Sequence, residues 1–228
     1  MSRVPSASAV GSIIYAMLCT CPDVLYALCM VNRYQGNPGL SRWTTVMNIL
    51  MYLRNTEEML LDSEQELKVR EYCDASFQMD RDDSKSQSSW VFTLNGGGVT
   101  WKSSKQDTVV ISTCESKYIA ASEASKEATW IRNFTGDLGV VPNNEDPIEI
   151  FCDNKGAVTL TKEPRNHGRS QNIKRKYHYI CNVVEDGEIV VQRVSSGGHP
   201  VDPFTKGLVH DRHSIHVKTI DMRNDVKF

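Results

Sequence analysis

Apolar positions in the first 62 residues recur at the spacing of helices. The stretches 6–18 and 22–34 are rich in apolar residues, and a turn signal at 37–39 follows them. A third helical pattern is marked by Trp43, Val46, Met47, Leu50 and Leu53. Because an amphipathic helix buries residues three and four positions apart, this segment predicts three helices and no strand. The polar run 62–66 then predicts a linker.

From residue 67 onward the pattern changes to strands that later alternate with helices. Short apolar or β-prone runs predict strands at 67–73, 89–94, 99–102, 108–111, 148–152 and 188–194. Longer periodic runs predict helices at 113–138, 154–162 and 174–185. Strands first, followed by alternating strands and helices, indicate an α/β sheet of mixed direction.

The composition is that of an ordinary globular protein and limits the classes of partner. Of the 228 residues, 40% are apolar and 24% are charged, which excludes a disordered tail. The formal net charge of −2 provides no global basic field. Any contact with nucleic acid must therefore come from local clusters, of which 102–105 and 169–176 are the clearest.

Cysteine usage and the N-terminal apolar stretch bear on the compartment. The seven cysteines are odd in number and scattered, without a CxxC pair, which favours reduced thiols in an intracellular protein, cytoplasmic or nuclear. The apolar stretch 9–31 is interrupted at Pro22-Asp23, and neither half reaches the roughly 20 apolar residues of a membrane span. No signal-peptide cleavage site follows it. We expect two buried helices here and no membrane contact.

Four acidic residues in the second part of the chain are the candidates for chemistry: Asp74, Glu115, Asp153 and Asp202. Three of them directly follow a cysteine, and two of those cysteines end a predicted strand. They are far apart in sequence, so only the fold can bring them together. Carboxylates that converge at one rim of a sheet can hold a divalent metal ion.

Each acid also has a purely structural interpretation. Asp74 is compatible with a solvated strand end, and Asp202 before Pro203 with a turn. Asp153-Asn154 is a potential helix N-cap. Ser112-x-x-Glu115 has the form of a capping box at the start of the long helix. Taken one at a time, the residues leave both interpretations open.

Motifs in a fixed order carry a more specific signal. They are DASFQMDRDDSKS at 74–86, LNGGGVTWKSSKQ at 94–106, STCE at 112–115, YIA at 118–120, FCDN at 151–154, KYHYI at 176–180 and DPFTK at 202–206. Together they resemble the ribonuclease H (RNase H) domain of copia-type retrotransposon Pol polyproteins. Upstream, PSASAVGS at 5–12, PDV at 22–24, NPG at 37–39 and Trp43 resemble the end of the preceding reverse transcriptase.

The resemblance implies an organisation and a fold. Residues 1–62 are a helical remnant of the reverse transcriptase, 67–208 an RNase H-like domain, and 209–228 a tail or helix. The fold class is α/β, an RNase H-like mixed five-stranded sheet with flanking helices, preceded by a small helical segment. No Tyr-x-Asp-Asp polymerase motif, integrase His/Cys cluster or protease is present, so polymerase activity is not expected.

The resemblance also implies a reaction, the hydrolysis of the RNA strand of RNA–DNA hybrids. Asp74, Glu115, Asp153 and Asp202 match the four metal-binding acids of the family. All-oxygen ligation suits two Mg²⁺ ions, or Mn²⁺, about 3.5–4 Å apart. Asp74 would bridge both ions, Glu115 and Asp153 would complete the site of one, and Asp202 would hold the site of the attacking water.

Hybrid selectivity would come from contacts to 2′-hydroxyl groups across the minor groove, and five basic residues are candidates for phosphate contacts. These are Lys102, Lys105, Arg169, Lys174 and Lys176. A solvated basic face is the alternative interpretation. Other parts of a retrotransposon polyprotein are the remaining expected partners.

Departures from the family pattern support a second hypothesis, an inactive relic that folds and at most binds nucleic acid. Lys117 stands where a second Glu is usual and places a positive charge near the metal site. Cys21, Asn172 and Cys181 replace usual basic residues. His199 is interpreted as loop filler. A weaker third hypothesis is a zinc site at His210, His213 and His216, whose spacing is loose and lacks a nearby cysteine.

Overall fold

The computed structural model describes most, but not all, of the chain. The described residues are 10–11, 13–14, 17, 21–33, 39–55, 60–61, 68–80, 82–94, 97–138, 146–162, 177–195, 199–219 and 222–223.

Seven α-helices and seven strands have both ends within these ranges, and residues 10–11, 13–14 and 17 are also helical. The helices are α1 (Leu25–Asn32, after a 3-10 turn at Pro22–Val24), α2 (Leu40–Asn55), α3 (Thr113–Leu138), α4 (Lys155–Lys162), α5 (Tyr179–Glu185), α6 (Asp202–Thr205) and α7 (His210–Thr219). The strands are β1 (Leu60–Leu61), β2 (Val69–Ser76), β3 (Gln87–Leu94), β4 (Gly97–Lys105), β5 (Ile148–Cys152), β6 (Ile189–Arg193) and β7 (Met222–Arg223).

Five of the strands form one sheet in the order β4-β3-β2-β5-β6. The first three are joined as antiparallel neighbours, while β2 pairs with β5 and β5 with β6 in parallel. The predicted mixed five-stranded sheet with flanking helices is therefore confirmed. A separate antiparallel pair joins β1 to β7.

One face of the sheet is covered by α3, α4 and α5. Alternate residues of the central strands point to this side, including Cys73 on β2 and Trp90 and Phe92 on β3. They pack against small residues of α3, of which Ala121, Ala124 and Ala128 are completely or almost completely buried. Small side chains let this long helix lie close to the sheet.

The opposite face of the sheet is covered by the N-terminal helices. Leu28 of α1 and Val46 of α2 belong to a second apolar core that includes Val91 of β3 and Phe204 of α6. Polar contacts cross the same junction, because the Arg33 guanidinium lies 2.8 Å from Asp80 Oδ2. The sequence left open whether the helical segment packs on the sheet, and the structure shows that it does.

Several predicted boundaries are confirmed and others are corrected. Helix 113–138 and strand 148–152 match α3 and β5 residue for residue. The predicted strand at 108–111 is wrong: these residues form bends and irregular chain. Val110 is buried but finds no strand to pair with, because the segment leaves the edge strand β4 to reach α3.

Two further corrections concern the sites of acids. Strand β2 extends to Ser76, beyond the predicted end at 73, because β3 continues to pair with it as far as Gln87. Asp202 begins a short helix, where a loop was expected. The linker at 62–66 and residues 174–176 of the predicted helix 174–185 lie outside the described residues.

No helix in the described part of the chain is long and apolar enough to cross a membrane. The six cysteines that the structure describes are all free thiols, as the scattered spacing predicts.

We expect Leu28→Ala to lower the free energy of unfolding by about 2–5 kcal/mol, since it leaves a cavity between the N-terminal helices and the sheet. Urea unfolding followed by fluorescence should show one cooperative transition. Met47→Ala, on the exposed side of α2, is the matched control and should change stability by less than about 0.5 kcal/mol. If Leu28→Ala instead showed two unfolding transitions and lowered the stability in only one of them, packing of the N-terminal helices on the sheet would be contradicted.

A buried carboxyl group gives the fold a pH dependence. Glu71 is fully buried, and neither carboxyl oxygen has a hydrogen-bond partner among the described residues. Burial, together with the charge of Glu127, raises the pKa of Glu71 well above its ordinary value of 4.5. The folded protein therefore keeps a proton that the unfolded chain releases above that pH, and stability falls as the pH rises.

In the pH range from about 5 upward, we expect Glu71→Gln to remove up to about 1.4 kcal/mol of destabilisation per pH unit. Unfolding midpoints measured across this range should be flatter for the variant than for the native protein. Glu185→Gln, an exposed control, should keep the native slope. Equal slopes for the native protein and Glu71→Gln would show that Glu71 does not retain its proton.

Candidate active site

The parallel pairing of β2 with β5 brings two of the four acids together. Tyr72 is in register with Phe151, and continuing that register by two residues sets Asp74 beside Asp153. Asp74 is only 4% exposed. Its Oδ2 accepts a hydrogen bond from the Thr205 hydroxyl at 3.0 Å.

Asp153 is available for chemistry because its neighbour caps the following helix. The side-chain oxygen of Asn154 accepts the Ala157 N–H at 2.9 Å, so the carboxylate of Asp153 is not needed for capping. Of the two residues in the predicted N-cap pair, Asn154 has the structural role.

The side chain that joins Asp74 to Asp153 is Lys117. Its ammonium lies 2.8 Å from Asp74 Oδ1 and also contacts Asp153 Oδ1. The Lys117 side chain is only 15% exposed. A positive charge therefore occupies the space between the two carboxylates.

Glu115 has a different place, at the beginning of α3. Its Oε2 accepts the Ile111 N–H at 3.0 Å, and its own N–H donates to Ser112 Oγ at 3.2 Å. Ser112 therefore caps α3 as in a capping box. The Glu115 carboxylate, however, accepts the N–H of Ile111, one residue before Ser112, and not the N–H of Ser112 itself. Because helical residues advance by about 100°, Glu115 and Lys117 point in directions about 200° apart.

The short helix α6 holds Asp202 at the edge of the sheet where β2 and β5 end. This edge, with Asp74, Asp153 and Asp202, is called the acidic rim or the rim below. The Phe204 carbonyl accepts hydrogen bonds from Ser89 Oγ and Ser103 Oγ, both at 2.9 Å, and Phe204 is fully buried. These contacts tie α6 to β3 and β4. The Asp202 carboxylate pairs with Lys206, its Oδ2 lying 2.8 Å from Nζ.

His199 is buried beside these acids and is not the loop filler that its sequence suggested. It is 1% exposed, and its ring packs edge-on against Tyr72 with centroids 5.9 Å apart. Neither ring nitrogen has a hydrogen-bond partner among the described residues. Burial lowers the pKa of His199, although the nearby Asp74 charge opposes this.

The electrostatics of the rim depend on Lys117. Burial by itself raises the pKa of Asp74, but the Lys117 ammonium outweighs it and the pKa falls below its ordinary value. Burial opposes the charge of Lys117, but the Asp74 and Asp153 carboxylates raise its pKa above the ordinary value of 10.5. Both partners are therefore held in their charged forms.

These residues, as they are arranged, do not fit a divalent metal ion. Among the described residues, no three His, Cys, Asp or Glu side chains converge closely enough to hold one, and the same finding covers His210, His213 and His216. Two unit charges 4 Å apart near a protein surface interact by about 4 kcal/mol, and a divalent ion doubles that repulsion from an ammonium. Lys117 thus opposes an ion between Asp74 and Asp153.

The predicted phosphate-contacting residues differ in what the structure says of them. Lys102 is exposed on the edge strand β4. Lys105 is engaged with acids instead, its Nζ lying 2.8 Å from Asp80 and 2.7 Å from Asp83. Arg169, Lys174 and Lys176 lie outside the described residues.

Known proteins similar to this chain decide its family. It is 35% identical over 226 residues, 99% of its length, to the retrovirus-related Pol polyprotein from transposon TNT 1-94 of Nicotiana tabacum. It is 33% identical over 201 residues to the Pol polyprotein from transposon RE2 of Arabidopsis thaliana. The chain belongs to the copia-type retrotransposon Pol family. It spans 17% and 14% of the lengths of these two polyproteins.

The chain is also similar to a protein that is not named as a Pol polyprotein. The secreted RxLR effector protein 161 of Plasmopara viticola is 38% identical over 133 residues, which are 58% of this chain and 94% of that protein. No protein-family model matches the chain.

Solved RNase H structures also resemble the copia-type chain, which has an RNase H-like fold. An RNase H1 isolated from compost has a TM-score of 0.42 at 13% identity and covers 68% of this chain and 96% of its own. The RNase H1 of Halobacterium salinarum has a TM-score of 0.39 at 15% identity and covers 57% and 87%. Since these scores lie below 0.5, the family assignment rests on the sequence relatives.

The sequence placed the positive charge of Lys117 near the expected metal site but did not show that it contacts both Asp74 and Asp153. Helical spacing contains the signal, because Lys117 lies in one row with Ala121, Ala124 and Ala128, which face the sheet. Thr205 and His199 carried no comparable signal, since their approach to Asp74 depends on how α6 docks.

We expect Glu115→Ala to lower the free energy of unfolding by about 1 kcal/mol, because Ile111 loses its acceptor at the start of α3. Chemical unfolding measures this change. Lys126→Ala, exposed on the same helix, is the control and should be nearly neutral. Unchanged stability of Glu115→Ala would contradict the capping role.

Proposed function

We propose that this copia-type Pol chain is an RNase H-type domain that binds RNA–DNA hybrids without hydrolysing their RNA strand. The observation that carries the proposal is the Lys117 ammonium between Asp74 and Asp153. Family membership and the RNase H-like fold support the substrate class, and the positive charge of Lys117 supports the loss of cleavage.

The binding half of the proposal has support in the exposed surface. Lys102 is exposed on the edge strand β4, so solvent and a phosphate backbone can reach its ammonium. Each phosphate contact from a lysine releases condensed counterions, so binding should weaken as salt rises. Lys105 forms ion pairs with Asp80 and Asp83, which reduces the charge that it can offer to a phosphate.

The catalytic half rests on what the rim lacks. Hydrolysis by this fold family uses divalent ions that activate water and stabilise the departing oxygen. Here the carboxylates of Asp74 and Asp153 share an ammonium, and Glu115 caps α3. What remains of the acidic rim is one carboxylate, Asp202, which pairs with Lys206.

Metal-dependent hydrolysis of the RNA strand is the second candidate function, and one observation favours it. Asp74, Asp153 and Asp202 are present at one rim, and Thr205 links Asp74 to the helix that begins with Asp202. On this alternative, Asp74, Asp153 and Asp202 would hold Mg²⁺ or Mn²⁺, and Lys117 would have to leave the space between Asp74 and Asp153.

A labelled RNA–DNA hybrid separates the two candidates. We expect fluorescence anisotropy to report binding of equal strength with EDTA and with Mg²⁺ or Mn²⁺, while gels show intact RNA. Lys102→Glu should weaken binding and reduce the salt dependence by about one phosphate contact. Lys126→Glu, which makes the same charge change on α3, should bind as the native protein does.

Two results would overturn the proposal. Cleavage of the RNA strand that requires metal and disappears in Asp74→Asn and Asp153→Asn would establish the second candidate. A folded protein with no measurable affinity for the hybrid would remove nucleic-acid binding itself.

A further inference from the structure

The acidic rim already contains a cation, supplied by the chain itself. Lys117 reaches from the first turns of α3 to the ends of two neighbouring strands, where its ammonium lies 2.8 Å from Asp74 Oδ1 and contacts Asp153 Oδ1. The side chains of Asp74 and Asp153 are only 6% and 13% exposed. Carboxylates so little exposed need a positive partner, and Lys117 is the one in contact with both.

The position of residue 117 matters as much as its charge. It lies in the row of α3 that faces the sheet, together with Ala121 and Ala124, whereas Glu115 points away to the Ile111 amide. The residue at position 117 therefore determines whether a cation or a carboxylate lies beside Asp74 and Asp153.

The size of the side chain is compatible with such an exchange. A glutamate is one atom shorter than a lysine from the backbone to its charged group. A magnesium-sized ion binds oxygen at about 2.0–2.1 Å and would fill that gap between a carboxylate at 117 and those of Asp74 and Asp153.

We propose that Lys117 is a tethered counter-cation that takes the place of a divalent ion, so that the fold of this chain needs no metal. We further propose that exchanging this one residue for glutamate creates a divalent-ion site with Asp74 and Asp153. The inference concerns the same rim as the proposed function, but its test uses the protein alone. A failure to bind hybrid would therefore contradict the proposed function without affecting the inference about Lys117. An unexpected response to metal would contradict the inference without affecting hybrid binding.

The experiment measures Mn²⁺ binding by electron paramagnetic resonance together with thermal unfolding, for the native protein and for Lys117→Glu. We expect the native protein to bind Mn²⁺ weakly and to show no shift in Tm. Lys117→Glu should have a lower Tm in EDTA, because three carboxylates then face one another. Mn²⁺ should raise that Tm again, with an affinity at least roughly tenfold above that of the native protein.

Three variants make the result specific. Lys126→Glu has the same charge change at an exposed position of α3 and should respond to Mn²⁺ as the native protein does. Lys117→Gln removes the cation without adding a ligand, so it should lose Tm and recover little of it with Mn²⁺. Adding Asp74→Asn to Lys117→Glu should abolish the gain in affinity.

Several outcomes would overturn the inference. One is Mn²⁺ binding by the native protein that raises its Tm and is lost in Asp74→Asn. Another is a Lys117→Glu protein whose Mn²⁺ affinity equals that of Lys126→Glu. A Lys117→Glu protein that stays unfolded at all Mn²⁺ concentrations would also overturn it, and so would an unchanged Tm of Lys117→Gln, because a counter-cation for buried carboxylates must contribute to stability.

Discussion

The structure depends on strand β2 lying at the centre of the sheet with both faces covered. Its alternation sends Cys73 to the core under α3 and Tyr72 to the core under the N-terminal helices. The antiparallel neighbour β3 and the parallel neighbour β5 fix its register. Because a shift of one residue would exchange the two faces, both cores restrain this register together.

The same register brings two negatively charged carboxylates together at the rim. Two acids on adjacent parallel strands meet at the carboxyl ends, where the sheet and α6 exclude most of the solvent. Buried carboxylates are costly unless a cation or hydrogen-bond donors satisfy them. Lys117 and Thr205 do this for Asp74, and Asn154 takes over the capping task that would have competed for Asp153.

The N-terminal helical segment is part of this arrangement. It covers the sheet face to which Tyr72 points. Phe204 of α6 belongs to the same apolar core as Leu28 of α1. The helix that begins with Asp202 therefore packs against residues of both parts of the chain. The acidic rim is supported from the N-terminal side as well as from the RNase H-like side.

Patterns along the chain were enough to identify most elements and the family. Helical and strand periodicity identified α2, α3 and β5, and ordered motifs identified copia-type Pol relatives that share about a third of the residues. Periodicity works for these elements because each buries a continuous face, whatever it packs against. It failed at residues 108–111, where Val110 is buried without belonging to a strand.

Which side chains meet at the rim depends on how the helices and strands dock. Local sequence offered Glu115 as both cap and ligand, and its hydrogen bond to Ile111 shows the cap. Lys117 was visible as an unusual residue, but its contacts with Asp74 and Asp153 required α3 to be laid across β2 and β5. The physical reason is that periodicity along the chain specifies which side of an element is buried, whereas the approach of charges from separate elements depends on how those elements dock.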